Sequence, residues 1–494
     1  MASRTGSLAR SVDAWAGKVI RRGRIPGLSL GLVDHGRHVV ARGYGYRDRE
    51  RRLPATTATV YGVASVTKSF TALAILRLEE HGLLKVQDPV IRHLPEFGTP
   101  EPRWTRRIRL HHFLTHSSGL PPLPSIYYAS ARSLALEPPY EPRVARRVGV
   151  DPGHAPIDTY EEMLEFLRTE PYRLLGPPGA QFSYSNEAFG LLGAVIERVS
   201  GRTYESYLEE EILRPAGMVR STFDSGIMFR FPEVTALYSP KWGDPRRRLV
   251  RGEQWWEDTC LRACGALRTN VDDLFRYLEI YLHDGRVDRE QIVSRSSLAR
   301  MLAPHVPIQP GQYYGYGITV RPDHHGTLVA SHSGGLKGVS SEFAVVPAKR
   351  LGGAVLSNAD QVPAPEVLRG AINLALGLPA PTPFIDPPTP GARPRSIREY
   401  AGWYCSGEGI WARMTARRDS LRIDFRGIEE VRQGILVRPY GPDLFVLREA
   451  GQRFPLRFLR DARGRIASAF IGWRVVRRRR PGELKLARRG RMVW

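Results

Sequence analysis

The stretch YGVASVTKSFTAL, residues 61–73, decides how the rest of the chain is interpreted. Apolar residues recur from Phe70 to Leu78 at helical spacing, which predicts an amphipathic helix that begins near Ser65. A hydroxyl at that position commonly caps free amide groups. Ser65 and Lys68, however, are three residues apart and therefore neighbours on a helix surface, where an uncharged amine could take the hydroxyl proton. The stretch is thus either a capped helix with an exposed lysine or part of a catalytic site.

The bulk composition is that of a globular protein. The 494 residues are too many for one ordinary core, so two or three domains are expected. Apolar residues make up 42% and charged residues 25%, which excludes a disordered chain. The sequence has no run of 18 apolar residues and no signal-peptide core, which predicts no membrane span and a cytoplasmic location. Three cysteines fit a reducing compartment, and the absence of zinc-site spacing predicts no metal and no cofactor.

Positive charge is abundant and unevenly spread. The formal net charge is +23, and 66 of the 73 basic residues are arginines. Residues 391–494 hold 25 Lys and Arg but only 10 Asp and Glu, with a peak at Arg477–Arg480. Such a concentration can attract polyanions or acidic membranes. A run of like charges is more typical of a solvated edge or tail, so no nucleic-acid partner is predicted.

A proline-rich segment divides the chain. Residues 378–394, LPAPTPFIDPPTPGARP, hold seven prolines in seventeen positions, which remove backbone donors and predict an extended linker. This places one domain at residues 1–377 and a second at residues 395–494. The second domain contains at least six short segments of strand type separated by Gly, Asp and Pro turns, a pattern typical of a small antiparallel barrel.

The first domain takes strands from both of its ends. Strand patterns lie near its beginning and near its end, with helical segments between them, which predicts an α+β layered architecture. The elements predicted at the two ends are a helix over 7–21, strands within 26–36, 37–48, 327–335, 340–348 and 351–359, and a helix over 366–376.

Two further polar motifs follow the first one. Tyr184-Ser185-Asn186 precedes a predicted helix, and His332-Ser333-Gly334 lies on a predicted strand. Taken singly, the first is typical of a turn and the second of a buried histidine beside a bulge. Together with Ser65-Val66-Thr67-Lys68, however, they resemble the three signature elements of the serine β-lactamase and penicillin-binding protein superfamily. The resemblance spans roughly residues 10–376.

The resemblance implies both a fold and an activity. The fold is an antiparallel sheet flanked by helices, with a helical subdomain, and the phrase REYAGWYCS (residues 398–406) resembles the start of a lipocalin-like barrel. The activity is that of a metal-independent serine hydrolase, related to class C β-lactamases and similar to family S12 peptidases and esterases. Ser65 would be the acylated nucleophile, Lys68 its proton acceptor, and Tyr184 the carrier of a proton to the leaving group.

The remaining motif residues would hold the substrate. The resemblance implies that Asn186 binds a substrate carbonyl or Lys68, and that the strand from His332 through Ser333 to Gly335 lines the cleft. Gly334 and Gly335 would let a substrate backbone approach as an added strand. The N–H groups of Ser65 and Gly335 would form the oxyanion hole.

One position departs from the pattern. His332 stands where penicillin-recognising enzymes usually have lysine, and a histidine is mostly neutral at pH 7. The sequence therefore favours an esterase or a peptidase acting on small esters or amides, including those of D-residues. A true β-lactamase or DD-peptidase stays open as an alternative, as does a catalytically idle scaffold whose basic barrel binds polyanions. The sequence also leaves open whether the chain forms a homo-oligomer.

Two other segments have simpler interpretations. His111, His112 and His116 lie in LHHFLTH, which the resemblance treats as a packing segment and not as a metal site. The insertion at about residues 123–175 is rich in Pro and Arg, which predicts a loop or lid beside the cleft.

Overall fold

A computed structural model describes most of the chain and contains two large β-structures. These are a nine-stranded antiparallel sheet and a closed eight-stranded barrel. The predicted α+β architecture followed by an antiparallel barrel is confirmed. The described residues are 2–136, 150–151, 153–240, 248–252, 254–384, 391, 394, 396–426, 431–449, 452–480 and 482–484.

The sheet joins the two ends of the first domain. The first strand, Gly27–Asp34, pairs with Leu351–Ser357 on one side and with Arg37–Asp48 on the other, so that Leu30 faces Val355. The predicted terminal strands are thus confirmed, and they lie side by side although more than 300 residues separate them. In spatial order the strands are Val306–Gln309, Gln312–Tyr314, Thr319–Arg321, Val329–Leu336, Val339–Val346, Leu351–Ser357, Gly27–Asp34, Arg37–Asp48 and Leu53–Pro54.

Two terminal helices cover one face of this sheet. The helix Ala2–Gly23 packs against Ala364–Ala375, where Trp15 donates a hydrogen bond of 3.1 Å to the Glu366 carbonyl. Gly370 makes this approach possible, because a Cβ at that position would lie 2.0 Å from Trp15 Nε1. The apolar side chains between these helices and the sheet form a core separate from the larger core on the opposite face.

The helix that follows Ser65 is not amphipathic. It spans Thr67–Glu80, and eleven of its fourteen residues are buried, Lys68 included. Phe70 stacks on Tyr277 with ring centroids 3.8 Å apart, while Thr71 on another side donates to the Ala263 carbonyl at 2.6 Å. The prediction of one exposed helix face is therefore wrong, because the helix lies at the centre of the larger core and its polar side chains have partners inside the protein.

The helical elements between the sheet strands are mostly short. The α-helices are Ala2–Gly23, Thr67–Glu80, Val90–His93, Pro102–Thr105, Leu110–Leu114, Ser125–Ala129, Ala131–Ala135, Tyr160–Thr169, Asn186–Ser200, Tyr204–Leu208, Ser225–Met228, Arg262–Gly265, Val271–Leu282, Arg295–Met301 and Ala364–Ala375. The 3-10 turns are Ala64–Val66, Thr259–Leu261, Pro347–Lys349 and Ile397–Tyr400, and Glu209–Leu213 is a π-helical turn. Short ribbons join Tyr61–Gly62 to Arg268–Thr269, Tyr238–Pro240 to Leu249–Arg251, and Arg286–Val287 to Glu290–Gln291.

The barrel contains the six predicted strands and two more that close it. Its first strand pairs with its last, so that Trp403 faces Arg479. Aromatic side chains fill the interior, where the ring centroids of Tyr404 and Phe458 are 5.6 Å apart. The strands are Gly402–Cys405, Trp411–Ala416, Leu421–Arg426, Val431–Gly441, Leu444–Glu449, Gln452–Arg460, Ile466–Ile471 and Arg474–Arg479.

The arginine run is the closing strand of the barrel. Arg477 donates to the carbonyls of Arg173 and Leu174, at 3.0 and 2.8 Å, and burial lowers its pKa to about 10. Arg479 is only 8% exposed. The prediction of a solvated edge is wrong for Arg477, which bonds to the first domain, and for Arg479, which is buried, but Arg480 is exposed.

The barrel packs directly on the first domain. The Gly407 amide donates to the Pro122 carbonyl at 2.8 Å, and the Tyr127 hydroxyl donates to the Glu408 carbonyl at 2.9 Å. Apolar residues of both parts, among them Phe182 and Phe470, share one buried cluster. The two parts are thus joined by a continuous core and not only through the chain between them.

Three predictions fall partly outside the described residues. The insertion contributes the helices Ser125–Ala129, Ala131–Ala135 and Tyr160–Thr169, while residues 137–149 and 152 lie outside. Its role as a lid stays a prediction. The same holds for the linker and the domain boundaries, because residues 385–390, 392, 393 and 395 lie outside as well. In the part of the chain that the structure describes, no helix combines the length and the apolar character needed to cross a membrane.

Candidate active site

Ser65 lies in a tight turn that leads into the buried helix. The turn Ala64–Val66 is a 3-10 helix, and the Ser65 side chain does not cap it or the helix that follows. The predicted capping role is therefore wrong. Ala64 has a φ of +46°, a left-handed conformation that a residue with a Cβ rarely adopts. Such strain persists only where the surrounding contacts enforce it, and here it sets the position of the neighbouring Ser65.

Lys68 is completely buried and makes three hydrogen bonds. Its Nζ lies 3.1 Å from Ser65 Oγ, 2.9 Å from Asn186 Oδ1 and 2.8 Å from the Cys264 carbonyl oxygen. The amide oxygen and the carbonyl oxygen can only accept. Lys68 Nζ therefore donates to both of these oxygens, and its third contact is with Ser65 Oγ. The Cys264 carbonyl could not be found from the sequence, because a backbone group has no residue signature.

Tyr184 and Asn186 flank the start of a long helix. Ser185 caps the helix Asn186–Ser200 by accepting a hydrogen bond from the Ala188 amide at 3.2 Å. The Tyr184 ring centroid lies 4.8 Å from Lys68 Nζ. Among the described residues, none forms a hydrogen bond with the Tyr184 hydroxyl, so this group is left to a substrate or to water.

Glu187 is a buried carboxylate that the sequence interpretation passed over. It is 0% exposed and accepts hydrogen bonds from Ser125 at 2.6 Å and from Ser185 at 2.7 Å. Ser125 belongs to the insertion, so Glu187 ties that segment to the second motif. Its place in the first turn of a helix, directly after Asn186, was an available signal, since carboxylates are favourable there.

His332 is held as a neutral ring by two protein partners. Its Nδ1 lies 2.7 Å from the Ser333 carbonyl and must donate, so Nε2, 2.9 Å from the Tyr314 hydroxyl, accepts. Burial, assisted by the nearby charge of Lys68, lowers the pKa of His332 to about 3. Both ring nitrogens thus have partners within the protein, and the predicted part of His332 in substrate binding stays a prediction.

The strand bearing His332 leaves one edge open beside Ser65. Its neighbour Thr319–Arg321 pairs only with residues 329–331, so the part from His332 to Leu336 pairs on one side alone within the described sheet. A Cβ on Gly334 would lie 2.0 Å from the Val63 carbonyl oxygen, whereas a Cβ on Gly335 would meet no atom within 4 Å. Gly334 thus packs on the turn before Ser65, and Gly335 faces open space. Their predicted roles in substrate and oxyanion binding stay predictions.

His116 packs against the second motif and hydrogen-bonds to its backbone. Its Nδ1 accepts a hydrogen bond of 3.1 Å from the Ser185 amide, and its ring packs on Tyr184 with centroids 4.1 Å apart. Burial lowers the pKa of His116 well below its usual value. His111 contacts the Tyr316 hydroxyl at 3.0 Å. In the described part of the chain, no group of three or more His, Cys, Asp or Glu residues is arranged to hold a metal ion.

The barrel reaches this site through one hairpin. The Tyr184 amide donates to the Trp473 carbonyl at 2.9 Å, and the Val475 amide donates to Ser183 Oγ at 3.2 Å. The guanidinium carbon of Arg474 lies 4.9 Å from the Tyr184 ring centroid. The sequence interpretation assigned no site residue to the barrel, because nothing in the local pattern of this hairpin shows where it docks.

Comparison with known proteins identifies the family. The family model described as Beta-lactamase matches residues 12–377. The chain therefore belongs to the Beta-lactamase family, and the superfamily resemblance seen in the three motifs is confirmed. Ser65, Lys68, Tyr184 and His332 all lie within the matched residues.

Individual relatives are distant. "Protein flp" of Staphylococcus aureus (strain COL) is 25% identical over 365 residues, which are 74% of this chain and 66% of the relative, slightly less than two thirds of its length. The solved octameric penicillin-binding protein homologue from Pyrococcus abyssi is 29% identical, covers 94% of this chain and 99% of its own, and has a TM-score of 0.65. EstCE1, described as a hydrolase with promiscuous acyltransferase activity, is 25% identical, covers 74% of this chain and 99% of its own, and has a TM-score of 0.58.

The close contact at Gly334 predicts a substitution that disturbs the site. We expect Gly334→Ala to push the strand away from Val63, to lower the free energy of unfolding by about 1–3 kcal/mol, and to lower kcat/KM by about 10-fold or more. The matched change Gly335→Ala adds a methyl group to open space and should change the free energy of unfolding by less than about 0.5 kcal/mol. Urea unfolding of both variants measures the difference, and equal stabilities would contradict the tight packing of Gly334 on Val63.

The buried neutral His332 predicts a loss of stability in acid. Below about pH 6.5 the unfolded chain protonates this histidine, while the folded chain does not until about pH 3, so stability falls as the pH drops through this window. At pH 5 this histidine alone should remove about 2 kcal/mol. His332→Gln should reduce the difference between the free energies of unfolding that urea measures at pH 7.5 and at pH 5.0. His35→Gln, at an exposed position, should leave this difference unchanged. An equal loss of unfolding free energy between the two pH values in wild type and in His332→Gln would contradict a neutral, buried His332.

Proposed function

We propose that this protein hydrolyses small esters or peptide and amide bonds, including those of D-residues, through an acyl-enzyme on Ser65. The observation that carries the proposal is the 3.1 Å contact between Lys68 Nζ and Ser65 Oγ. Two acceptor-only oxygens, those of Asn186 and Cys264, take the other hydrogen bonds of the amine. This arrangement suits Lys68 to act as the proton acceptor of the nucleophile.

Acylation begins with proton transfer. The Lys68 amine takes the Ser65 hydroxyl proton as Oγ attacks the substrate carbonyl carbon, and the carbonyl π electrons move onto oxygen. The N–H groups of Ser65 and Gly335 stabilise this oxyanion in the proposed mechanism. Support for the second donor is the open strand edge at Gly335, where an approaching substrate meets no side chain.

Tyr184 completes the proton path. The tetrahedral intermediate collapses as the bond to the leaving group breaks, and the leaving group takes the Tyr184 hydroxyl proton. Lys68, whose amine lies over the Tyr184 ring, then passes the proton that it took from Ser65 to the Tyr184 oxygen. A water molecule then attacks the acyl carbon and loses a proton to the pair of Lys68 and Tyr184. The pair passes this proton to Ser65 Oγ as the bond between Oγ and the acyl carbon breaks, and the carboxylic acid leaves.

The assay with p-nitrophenyl butyrate tests this proposal. Wild-type protein should release p-nitrophenol and should be labelled at Ser65 by a fluorophosphonate. Ser65→Ala should abolish both, and Lys68→Ala or Tyr184→Phe should each lower turnover by about 100-fold or more. Ser296→Ala, a change of the same type at an exposed position, should leave turnover unchanged. Undiminished hydrolysis by Ser65→Ala would contradict the proposal.

A β-lactamase or DD-peptidase is the rival within the same family. Recognition of a β-lactam carboxylate by a side chain at position 332 needs a cation, and the His332 ring is neutral because burial lowers its pKa to about 3. We therefore expect kcat/KM for nitrocefin to be at least about 100-fold lower than for p-nitrophenyl butyrate, a ratio equal to about 2.7 kcal/mol of transition-state stabilisation. Comparable values for the two substrates would favour the β-lactamase function.

The idle scaffold with a polyanion-binding barrel has less support. Ser65 and Asn186 both lie within 3.1 Å of Lys68 Nζ, so the residues that the proposed reaction needs are assembled. Part of the arginine run is engaged within the protein, since Arg477 bonds to carbonyl oxygens of the first domain. The cytoplasmic location stays a prediction. So does a homo-oligomer, which the octameric Pyrococcus abyssi relative supports.

A further inference from the structure

The Tyr184 hydroxyl has no hydrogen-bond partner among the described residues, so its position depends on how the rest of the residue is held. His116 contacts the backbone on both sides of Tyr184. The Ser183 amide donates to the His116 carbonyl oxygen at 2.9 Å, and the Ser185 amide donates to His116 Nδ1 at 3.1 Å. One histidine thus fixes both the residue before Tyr184 and the residue after it.

The His116 ring also packs on the Tyr184 ring. Their centroids are 4.1 Å apart, and their planes are inclined by 35°. The same histidine ring lies 4.8 Å from the rings of Phe189 and Tyr314, and the residue is only 1% exposed. Because the His116 ring is enclosed in this way, it limits the orientations that are open to the Tyr184 ring.

The backbone of His116 restricts which residue can stand there. Its φ angle is +53°, which lies in the left-handed region. Asparagine, aspartate and histidine enter this region more readily than other residues with a side chain, and glycine enters it freely. Glycine has no acceptor for the Ser185 amide, and asparagine and aspartate have no ring to pack on Tyr184. Of these four residue types, histidine is the one that meets all three requirements.

The second ring nitrogen shows that stability alone does not explain this histidine. Burial lowers the pKa of His116 well below its usual value, and since Nδ1 accepts a hydrogen bond, Nε2 carries the proton of the neutral ring. In the part of the chain that the structure describes, the buried Nε2 has no hydrogen-bond partner. The histidine thus satisfies the N–H of Ser185 and leaves its own N–H unsatisfied. An apolar ring would also leave one N–H unsatisfied, so what histidine adds is a bond placed next to Tyr184.

We propose that His116 is a positioning residue that holds the Tyr184 hydroxyl where it can give its proton to the leaving group. The inference rests on the proposed function, in which Tyr184 is that proton donor. His116 acts through Tyr184, because it fixes the backbone of Ser183 and Ser185 and the plane of the Tyr184 ring. The position of the hydroxyl follows from these contacts.

The need for this proton depends on the leaving group. 4-Nitrophenolate is a weak base and can leave as an anion, whereas ethoxide is a strong base and needs the proton as the bond breaks. A misplaced Tyr184 hydroxyl should therefore slow the cleavage of an ethyl ester far more than that of a 4-nitrophenyl ester. A change that only loosens the fold would slow both by similar factors.

The 4-nitrophenyl, phenyl and ethyl esters of butyric acid test the inference, because they share one acyl group. We expect His116→Phe, which keeps a ring but loses the acceptor, to lower kcat/KM by about 3-fold for the 4-nitrophenyl ester, about 10-fold for the phenyl ester and about 30-fold or more for the ethyl ester. His116→Asn keeps the acceptor and tolerates the left-handed conformation, so it should lose less than about 10-fold on the ethyl ester. His35→Phe is the matched control, since His35 is exposed and has a φ angle of +51°, and it should retain the wild-type values for all three esters.

A double-mutant cycle tests whether the effect passes through Tyr184. In a Tyr184→Phe background, His116→Phe should change kcat/KM for phenyl butyrate by less than about 3-fold, because no hydroxyl is left to position. An equal loss in both backgrounds would overturn the inference. If His116→Phe does not fold, His116→Asn gives the same comparison, with a loss that should be present with Tyr184 and absent in the Tyr184→Phe background.

The outcomes separate the inference from the proposed function. If wild-type protein hydrolyses none of the three esters, or Ser65→Ala hydrolyses them at the wild-type rate, the proposed function fails and the inference fails with it. If wild-type protein hydrolyses them but His116→Phe lowers kcat/KM by the same factor for all three, the inference is overturned and the proposed function stands.

Discussion

The need to satisfy one buried amine determines much of this structure. Lys68 is completely enclosed, and a buried amine without hydrogen-bond partners is costly. Its three partners come from three distant parts of the chain, namely the Ser65 turn, the helix that begins at Asn186 and the backbone of Cys264. Each of those parts must therefore be in place before the site exists. The same bonds that stabilise Lys68 in the core also place it against Ser65.

The open strand edge and the docked hairpin form two walls around that centre. On one side, Gly334 packs on the Val63 carbonyl, and the strand edge beside Ser65 is unpaired in the described sheet because Thr319–Arg321 pairs only with residues 329–331. On the other side, Trp473 and Val475 of the barrel form hydrogen bonds with the segment before Asn186. On the first wall the His332 ring is neutral, and on the second the guanidinium carbon of Arg474 lies 4.9 Å from the Tyr184 ring centroid.

Much of the fold and the site could be predicted from local patterns. Alternating and helical periodicity identified the terminal strands, the helix after Asn186 and six of the eight barrel strands, because these depend on which residues face the core. The three motifs identified Ser65, Lys68 and Tyr184 in the right order. The helix of Lys68 was the exception, since its buried threonine and serine side chains look polar in sequence and find their partners only inside the core.

By itself, the sequence determined the family, the order of the motifs and the type of most elements, because these depend on residue type and spacing. Only the tertiary structure decided which groups meet at the site. The Cys264 carbonyl, the neutral state of His332 and the arrival of Arg474 all depend on contacts between residues far apart in the chain. The arginine run shows the same limit, since a strand closing a barrel and a solvated tail have the same local charge pattern. Burial and hydrogen bonding distinguish them, and both are properties of the folded chain.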